Sequence, residues 1–156
     1  MAKEDVQRLR AETGAGVMDC KRALDETRGD YERAKALLKE RGLSRARKQA
    51  SREAKEGVVE AYVHSGGRIG ALVELSSETD FVARNQEFKV LAKEIAMQVA
   101  AMDPKSVDEL LGQAYIRDAS KTVGELVTTI AASTGENVRV RRFTRFQLGE
   151  SNGEAA

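Results

Sequence analysis

The residues with the most distinctive chemistry lie in one short segment, Ser76 to Asn85, in which Thr79, Asp80 and Phe81 follow one another. The segment comes after an apolar, strand-like run from Ile69 to Leu75 and before a strongly periodic helical pattern. Thr and Asp are favoured at helix starts, where they accept hydrogen bonds from unpaired backbone N–H groups. A phenyl ring is not needed there. On a rigid strand-to-helix corner, the ring and the carboxylate could instead push into another protein.

Spacing alone favours a different role for Phe81, as a residue of the protein's own core. Phe81 precedes Phe88 by one heptad, which places both on one helical face. Arg84 and Asn85 interrupt the apolar stripe between the two rings, and this interruption would place Phe81 on a separate turn. Both interpretations stay open from the residues alone.

A second candidate site is the turn Thr13-Gly14-Ala15-Gly16-Val17-Met18 between two predicted helices. The spacing favours a plain interhelix turn with Met18 in the core. The alternative is a docking surface, because small residues followed by a flexible thioether side chain suit a groove on a partner protein.

Residue types that carry covalent or metal chemistry are sparse in this sequence. His64 and Cys20 are the only residues of their types and lie in different predicted domains, which makes a Cys–His nucleophile a poor hypothesis. No phosphate-binding glycine motif and no metal-ligand spacing occurs in the sequence. We therefore expect a binding protein without cofactor or metal, and an enzyme that uses His64 ranks last.

The bulk composition is that of an ordinary globular chain, with 33% charged residues, 41% apolar residues and a formal net charge of +1. The net charge argues against a polyanion binder by bulk charge. The N-terminus has no apolar signal region, no apolar run has the length of a membrane span, and one cysteine cannot form an intrachain disulfide. These features predict a cytoplasmic protein that does not enter membranes.

Basic residues raise RNA as an alternative partner. They occur in two groups, a predicted connector and a C-terminal strand: Arg45, Arg47, Lys48, Arg52 and Lys55, then Arg139, Arg141, Arg142 and Arg145 interleaved with Phe143 and Phe146. The strand resembles an RNA-reading strand only loosely, since Arg142 and Thr144 occupy positions where that signature has small residues. Solvated faces and pairing with glutamates are the favoured interpretation, and an RNA-associated adaptor is the second functional hypothesis.

The candidate residues must be positioned by two predicted domains. The pattern over residues 1–42 predicts a three-helix domain, and residues 43–56 are expected to form a basic, helical or semi-rigid connector. Residues 57–148 are expected to form an α+β core with an antiparallel sheet, and residues 149–156 a disordered tail. In the first domain we expect Asp30 to cap the third helix and Gly42 to end it.

The core begins with strand-like runs Val58–Ser65 and Arg68–Leu75, and Gly66-Gly67 between them predicts a two-residue hairpin turn. Such a turn places Val58, Tyr62 and His64 on the face that carries Ile69, Ala71, Val73 and Leu75. The remaining elements are a helix from Phe88 to Val99 that ends near Pro104, an ambiguous piece from Val107 to Ile116, a helix from Val123 stopped by Gly135, and a strand from Val138 to Leu148. Phe143 is out of phase in that strand, which predicts a bulge or an edge position.

Two long segments resemble a known family. Leu9 to Leu24 is similar to the N-terminal signature of bacterial and organellar elongation factor Ts, and Glu78 to Asn85 is similar to its second signature. Gly57 to Leu75 resembles the first core hairpin of the family, and Gly135-Glu136-Asn137 with the basic strand after it also resembles the family. The likeness covers nearly the whole chain.

The resemblance implies a ubiquitin-associated-like three-helix domain before an α+β core, and guanine nucleotide exchange on elongation factor Tu. It implies that Arg10 and the turn Thr13, Gly14, Ala15, Gly16, Val17 and Met18 grip the GTPase domain. It further implies that Thr79, Asp80, Phe81 and Val82 intrude beside the nucleotide site, where the phenyl ring displaces elements that support the magnesium ion and the phosphate loop. GDP would then leave.

The chain also departs from the family pattern. Only Asp103 to Ser120 fills a region in which family members usually carry a second core half or a dimer-forming insertion. The sequence therefore leaves open a second contact with the partner and the formation of a homodimer. Some short members crosslink a dimer through a cysteine where this chain has Thr144.

Overall fold

Two separate apolar cores form along the chain, one among the N-terminal helices and one between a sheet and the helices that cover it. The structure is a computed structural model that describes residues 3–150. From residue 151 onward the predicted tail 149–156 lies outside the described residues. The observed α+β class, with helices first and an antiparallel sheet after them, confirms the sequence prediction.

Three helices build the N-terminal bundle: α1 (Lys3–Thr13), α2 (Val17–Glu26) and α3 (Tyr31–Gln49). Asp30 caps α3 as expected, since its side chain accepts a hydrogen bond of 3.1 Å from the Arg33 N–H. The expected stop at Gly42 is wrong, because α3 continues to Gln49. A single glycine costs a helix only about 1 kcal/mol, and the Ala-, Arg- and Lys-rich residues after it are strong helix formers.

Three antiparallel strands form the main sheet in the order β1 (Glu56–Val63), β2 (Ile69–Ser77) and a C-terminal strand, Arg139–Gln147. Tyr62 lies opposite Ala71, as the predicted shared face requires. The predicted two-residue turn is wrong. Residues 64–68 join the strands, with a hydrogen bond of 2.8 Å from the His64 N–H to the Ile69 carbonyl, so the hairpin loop is longer.

A bulge in the C-terminal strand explains the phase of Phe143. Val140 lies opposite Leu75, but Arg142 lies opposite Glu74, which leaves Arg141 as the extra residue. The extra residue turns Phe143 toward the core, as the predicted bulge requires, and leaves Phe146 exposed.

The remaining elements are α4 (Asp80–Ala83), α5 (Gln86–Met102), α6 (Val107–Gly112), β3 (Ala114–Tyr115), β4 (Asp118–Thr122), α7 (Val123–Thr134) and β5, which is the strand Arg139–Gln147. The ambiguous piece thus divides into α6 and β3, and β3 pairs with β4 in a hairpin that the sequence did not predict. Thr122 and Glu125 form a capping box at the start of α7, which ends before Gly135 as expected. Helix α5 packs across β1 and β2 on the inner face of the sheet. None of the helices within residues 3–150 combines the length and apolar character needed to cross a bilayer.

The bundle rests against the core through α3 and α7. The Lys39 ammonium lies 2.8 Å from a carboxylate oxygen of Glu125, and Gln49 donates a hydrogen bond of 3.1 Å to the Gly135 carbonyl. The turn after α1 also touches α7: a Cβ atom on Gly14 would lie 2.2 Å from the Thr129 carbonyl oxygen. Close backbone approach at Gly14 therefore sets how the bundle sits on the core.

We expect Gly14→Ala to destabilise the protein more than Gly29→Ala. Both glycines have positive φ angles, 70° and 85°, so alanine at either position is strained by about 1–2 kcal/mol. Among residues 3–150, no atom beyond its chain neighbours lies within 4 Å of a Cβ at Gly29, whereas at Gly14 the overlap with Thr129 should cost about 1–3 kcal/mol more. Urea unfolding of both variants measures the difference, and equal losses would contradict the close approach.

Candidate functional site

The segment from Ser77 to Asn85 forms a tight corner that contains two helix starts, and we call it the corner. Thr79 caps α4, accepting a hydrogen bond of 3.3 Å from the Val82 N–H. Asn85 then caps α5, accepting 2.8 Å and 3.4 Å hydrogen bonds from the Glu87 and Phe88 N–H groups. The capping role that the sequence predicted for Thr79 is confirmed.

Phe81 projects from the corner into solvent. Its side chain is 81% exposed, while the next two residues, Val82 and Ala83, are each only 6% exposed and pack into the core. Phe88 is completely buried, so the two rings do not share a face. The core interpretation of Phe81 is wrong because the caps at Thr79 and Asn85 begin two separate helices, so the heptad spacing between Phe81 and Phe88 does not run along one helix.

Asp80 is exposed beside the ring and forms an ion pair with Arg84, four residues further along. Both side chains are more than half exposed, so solvent screens the pair and its contribution to stability is small. Asp80 can therefore change partners at little cost when another protein approaches.

A carboxylate from a distant part of the chain holds the backbone of the corner. Glu136 Oε1 accepts hydrogen bonds of 3.1 Å from both the Glu78 and Thr79 N–H groups, and Glu136 Oε2 accepts one of 2.8 Å from the Thr79 hydroxyl. In return, the Asn137 N–H donates a hydrogen bond of 2.7 Å to Glu78 Oε1. Sequence reasoning included Glu136 in a resemblance but gave it no role, and the only signal was its place directly after the glycine that ends α7.

The predicted docking turn between α1 and α2 divides into buried and exposed residues. Thr13 and Ala15 are buried, and the Thr13 hydroxyl donates a hydrogen bond of 2.6 Å to the Leu9 carbonyl. Gly14 packs against α7. These three residues shape the turn, and the side chains of Thr13 and Ala15 are covered by the chain itself.

The other residues of that site face solvent. Arg10 and Gly16 are exposed, Val17 is 42% exposed, and Met18 is 62% exposed, so the expectation that Met18 is a core residue is wrong. Asp19 follows them and binds two arginines, Arg22 at 2.5 Å and Arg45 at 3.2 Å. The guanidinium of Arg45, followed by that of Arg22, lowers the pKa of Asp19 below its usual value. Val17 and Met18 thus form an exposed apolar pair beside a carboxylate whose charge is balanced by two arginines.

The basic residues that raised RNA as a partner are partly neutralised within the chain. Arg141 and Arg142 both approach the Glu74 carboxylate, at 3.7 Å and 2.6 Å. The Arg145 side chain is largely buried and donates a hydrogen bond of 3.0 Å to the Ala100 carbonyl. Pairing with acidic residues, the interpretation that the sequence favoured, is what the structure shows for these arginines.

The candidate nucleophile and base lie in different surroundings. Cys20 is fully buried in the bundle, and burial raises the pKa of its thiol, which makes it a poor nucleophile. His64 is exposed at the hairpin, where its Nδ1 lies 3.0 Å from the Tyr62 hydroxyl. Among residues 3–150, no three His, Cys, Asp or Glu side chains converge in a way that could hold a metal ion.

The exposed ring on a held corner and the exposed apolar pair on the bundle are features that suit a class of protein that binds other proteins. A family model described as Elongation factor TS matches residues 78–154, which include the corner from Glu78 onward and β5. Elongation factor Ts from Caldanaerobacter subterraneus subsp. tengcongensis is 42% identical over 195 aligned positions, which cover 96% of this chain and 98% of that protein. The chain belongs to the elongation factor Ts family.

Other relatives differ from this chain in length. Elongation factor Ts from Nostoc sp. is 49% identical over 148 residues, which cover 95% of this chain but only 47% of that protein. Elongation factor Ts from Heliobacterium modesticaldum is 44% identical over 190 positions, with 93% of this chain and 88% of that protein covered. Since the Caldanaerobacter alignment extends over 195 positions and this chain has 156 residues, that relative carries residues that this chain lacks.

We expect Phe81→Ala to leave the stability of the protein unchanged within about 0.5 kcal/mol, because an exposed ring makes few contacts in the folded state. The matched variant Phe88→Ala removes a fully buried ring and should cost about 3–5 kcal/mol. Thermal or urea unfolding compares the two. A large loss of stability for Phe81→Ala would show that the ring packs within its own chain.

Proposed function

We propose that this chain is a guanine nucleotide exchange factor that promotes release of GDP from elongation factor Tu in the cytoplasm. In this proposal the corner inserts Phe81 beside the magnesium and phosphate site of the GTPase. The observation that carries the proposal is an 81% exposed phenyl ring on a backbone that is fixed on both sides. Membership of the elongation factor Ts family supports the choice of partner.

The physical requirement for exchange is differential binding and needs no covalent step. A GTPase holds GDP largely through phosphate contacts and magnesium. A factor that binds the nucleotide-free form more tightly than the GDP form must, by linkage, weaken GDP binding by the same ratio. Burying one phenyl ring only in the distorted pocket would supply about 1.5–3 kcal/mol of that difference.

The other residues of the corner take supporting roles in the proposal. Asp80 brings a negative charge or a hydrogen-bond acceptor near the metal site and can leave Arg84 to do so. Thr79 caps α4, and Val82 anchors the turn in the core. None of these groups changes covalently, which agrees with a factor that is not an enzyme in the usual sense.

Exposure reduces the set of N-terminal residues that can touch the partner. Arg10, Gly16, Val17 and Met18 are available for the GTPase domain, whereas Thr13, Gly14 and Ala15 set the shape of the turn. We propose that Val17 and Met18 supply apolar contact area and Arg10 a charge at its rim. The RNA-adaptor hypothesis has no separate support, since Arg45, Arg141 and Arg142 bind acidic side chains of this chain.

Phe81→Ala should slow factor-stimulated release of labelled GDP from elongation factor Tu by about 10–100-fold, which corresponds to losing the burial of one phenyl ring. Stopped-flow measurement with a fluorescent GDP gives the rate at increasing factor concentration. The mass of the complex, measured on the same samples, gives the number of copies of each chain and tests for a homodimer.

Phe146→Ala is the matched control, because Phe146 is also an exposed phenylalanine but lies on β5, away from the corner. The Phe146→Ala chain should accelerate GDP release from elongation factor Tu as much as the wild-type chain does. A wild-type chain that does not accelerate release would refute the proposed function. A Phe81→Ala chain as active as wild type would refute the wedge mechanism alone.

A further inference from the structure

The Phe81 side chain is 81% exposed, so its position depends mainly on the backbone that carries it. Helix α4 contains only the four residues Asp80–Ala83, which is far too short to be stable by itself. Something outside α4 must fix where the turn begins. Val82 and Ala83 anchor the turn in the core, the Ser77 hydroxyl donates a hydrogen bond of 2.9 Å to the Thr79 carbonyl, and the hydrogen bonds at Glu78 and Thr79 hold the backbone directly before α4.

We propose that Glu136 is a positioning residue for nucleotide exchange, which acts through Phe81 by locking the start of the corner. The inference rests on the proposed function. Its carboxylate accepts three hydrogen bonds, from the Glu78 N–H, the Thr79 N–H and the Thr79 hydroxyl. Because the Thr79 hydroxyl donates its proton to Glu136, its oxygen is free to accept the N–H of Val82 and cap α4.

Glu136 is itself held in place from three directions. It follows the end of α7 at Gly135 and precedes Asn137, whose N–H donates to Glu78 Oε1 at 2.7 Å. The Asn137 side chain donates a hydrogen bond of 2.8 Å to the Arg52 carbonyl. The pairs Glu78–Thr79 and Glu136–Asn137 thus exchange hydrogen bonds in both directions, and we call this arrangement the clasp.

The clasp also connects the corner with the N-terminal bundle. Gln49, the last residue of α3, donates a hydrogen bond of 3.1 Å to the Gly135 carbonyl, directly before the clasp. The Arg52 guanidinium lies 3.5 Å from Glu78 Oε1. A partner that holds the bundle would therefore meet the corner in one fixed orientation, and less conformational entropy would be lost when the ring inserts.

A carboxylate suits the clasp better than an amide of the same size. Three donors converge on the side chain of Glu136, and an ionised carboxylate offers only acceptors. A glutamine of the same size would keep its carbonyl oxygen on the Glu78 and Thr79 N–H groups and turn its NH₂ group toward the Thr79 hydroxyl, which could then no longer donate to residue 136. It would also lose the negative charge that strengthens the others.

The test compares Glu136→Gln with wild type in two measurements on the full chain. Amide hydrogen exchange at Glu78 and Thr79 should become faster, since both N–H groups would then donate to a neutral amide oxygen, a weaker acceptor than the carboxylate. Maximal GDP release from elongation factor Tu should fall about tenfold, as expected for one lost hydrogen bond to a charged group. The factor concentration for half-maximal release should change less, because the N-terminal contact is untouched.

A double-mutant cycle shows whether Glu136 acts through Phe81. On the Phe81→Ala background, Glu136→Gln should cause little further loss, since there is no ring left to position. If the loss of GDP-release rate in the double variant equals the product of the two single-variant losses, the inference is overturned, because Glu136 then contributes by a route that does not involve Phe81. Faster amide exchange at Thr79 with an unchanged GDP-release rate would overturn it as well.

Two further variants separate positioning from charge and from folding. Glu87→Gln removes a carboxylate on the first turn of α5, next to the corner in sequence, without touching the clasp, and should keep wild-type release. An equal loss at Glu87 would show that charge alone is responsible.

Thr79→Val should slow release and Thr79→Ser should restore it, which provides a test even where Glu136→Gln unfolds. If wild type itself fails to accelerate release, the proposed function fails first, and the amide-exchange result still shows whether the clasp exists.

Discussion

Hydrogen bonds between Glu136 and the backbone at Glu78 and Thr79 hold the start of the segment that carries the exposed ring of Phe81. A four-residue helix cannot hold a phenyl group rigidly in water, and the core gains nothing from Phe81 itself. The geometry of the corner is set by the burial of Val82 and Ala83, by its own caps, and at its start by the turn that leaves α7. Much of the fold supports that contact. Glu136 follows the end of α7, Glu78 follows the end of β2, and the packing of the sheet against α5 and α7 holds these two chain segments next to each other.

The same support reaches into the N-terminal bundle. Because α3 continues past Gly42 to Gln49, its end lies against Gly135 and the clasp. Close approach of Gly14 to Thr129 gives a second contact between bundle and core. Two exposed apolar groups, Met18 on the bundle and Phe81 on the corner, are thereby carried by one connected framework. The factor is proposed to bind a GTPase through the bundle and to distort it through the corner. A rigid connection between the two would let the binding free energy gained at the bundle support the insertion of Phe81.

The sequence was sufficient for features that depend on local chemistry. Hydrophobic periodicity predicted α5 and α7, Asp30 and Thr79 were recognisable as caps, and the phase of Phe143 indicated the bulge in β5. It failed where several weak preferences compete, as at Gly42 and in the hairpin loop at residues 64–68. The exposure of Phe81 could not be decided from spacing, because heptad spacing assumes one continuous helix and the cap at Asn85 breaks it. Glu136 was missed for a different reason: its hydrogen bonds join residues far apart in sequence, and a lone glutamate after a helix gives no local signal.

The central claim, that the Phe81 ring leaves solvent to enter elongation factor Tu, is tested most directly by fluorine NMR of a chain with fluorophenylalanine at position 81 alone. The resonance should shift and broaden when nucleotide-free elongation factor Tu is added, and should return to its free position when GTP dissociates the complex. A complex that forms, as judged by its mass, while the resonance keeps its free, solvent-exposed position would contradict the account.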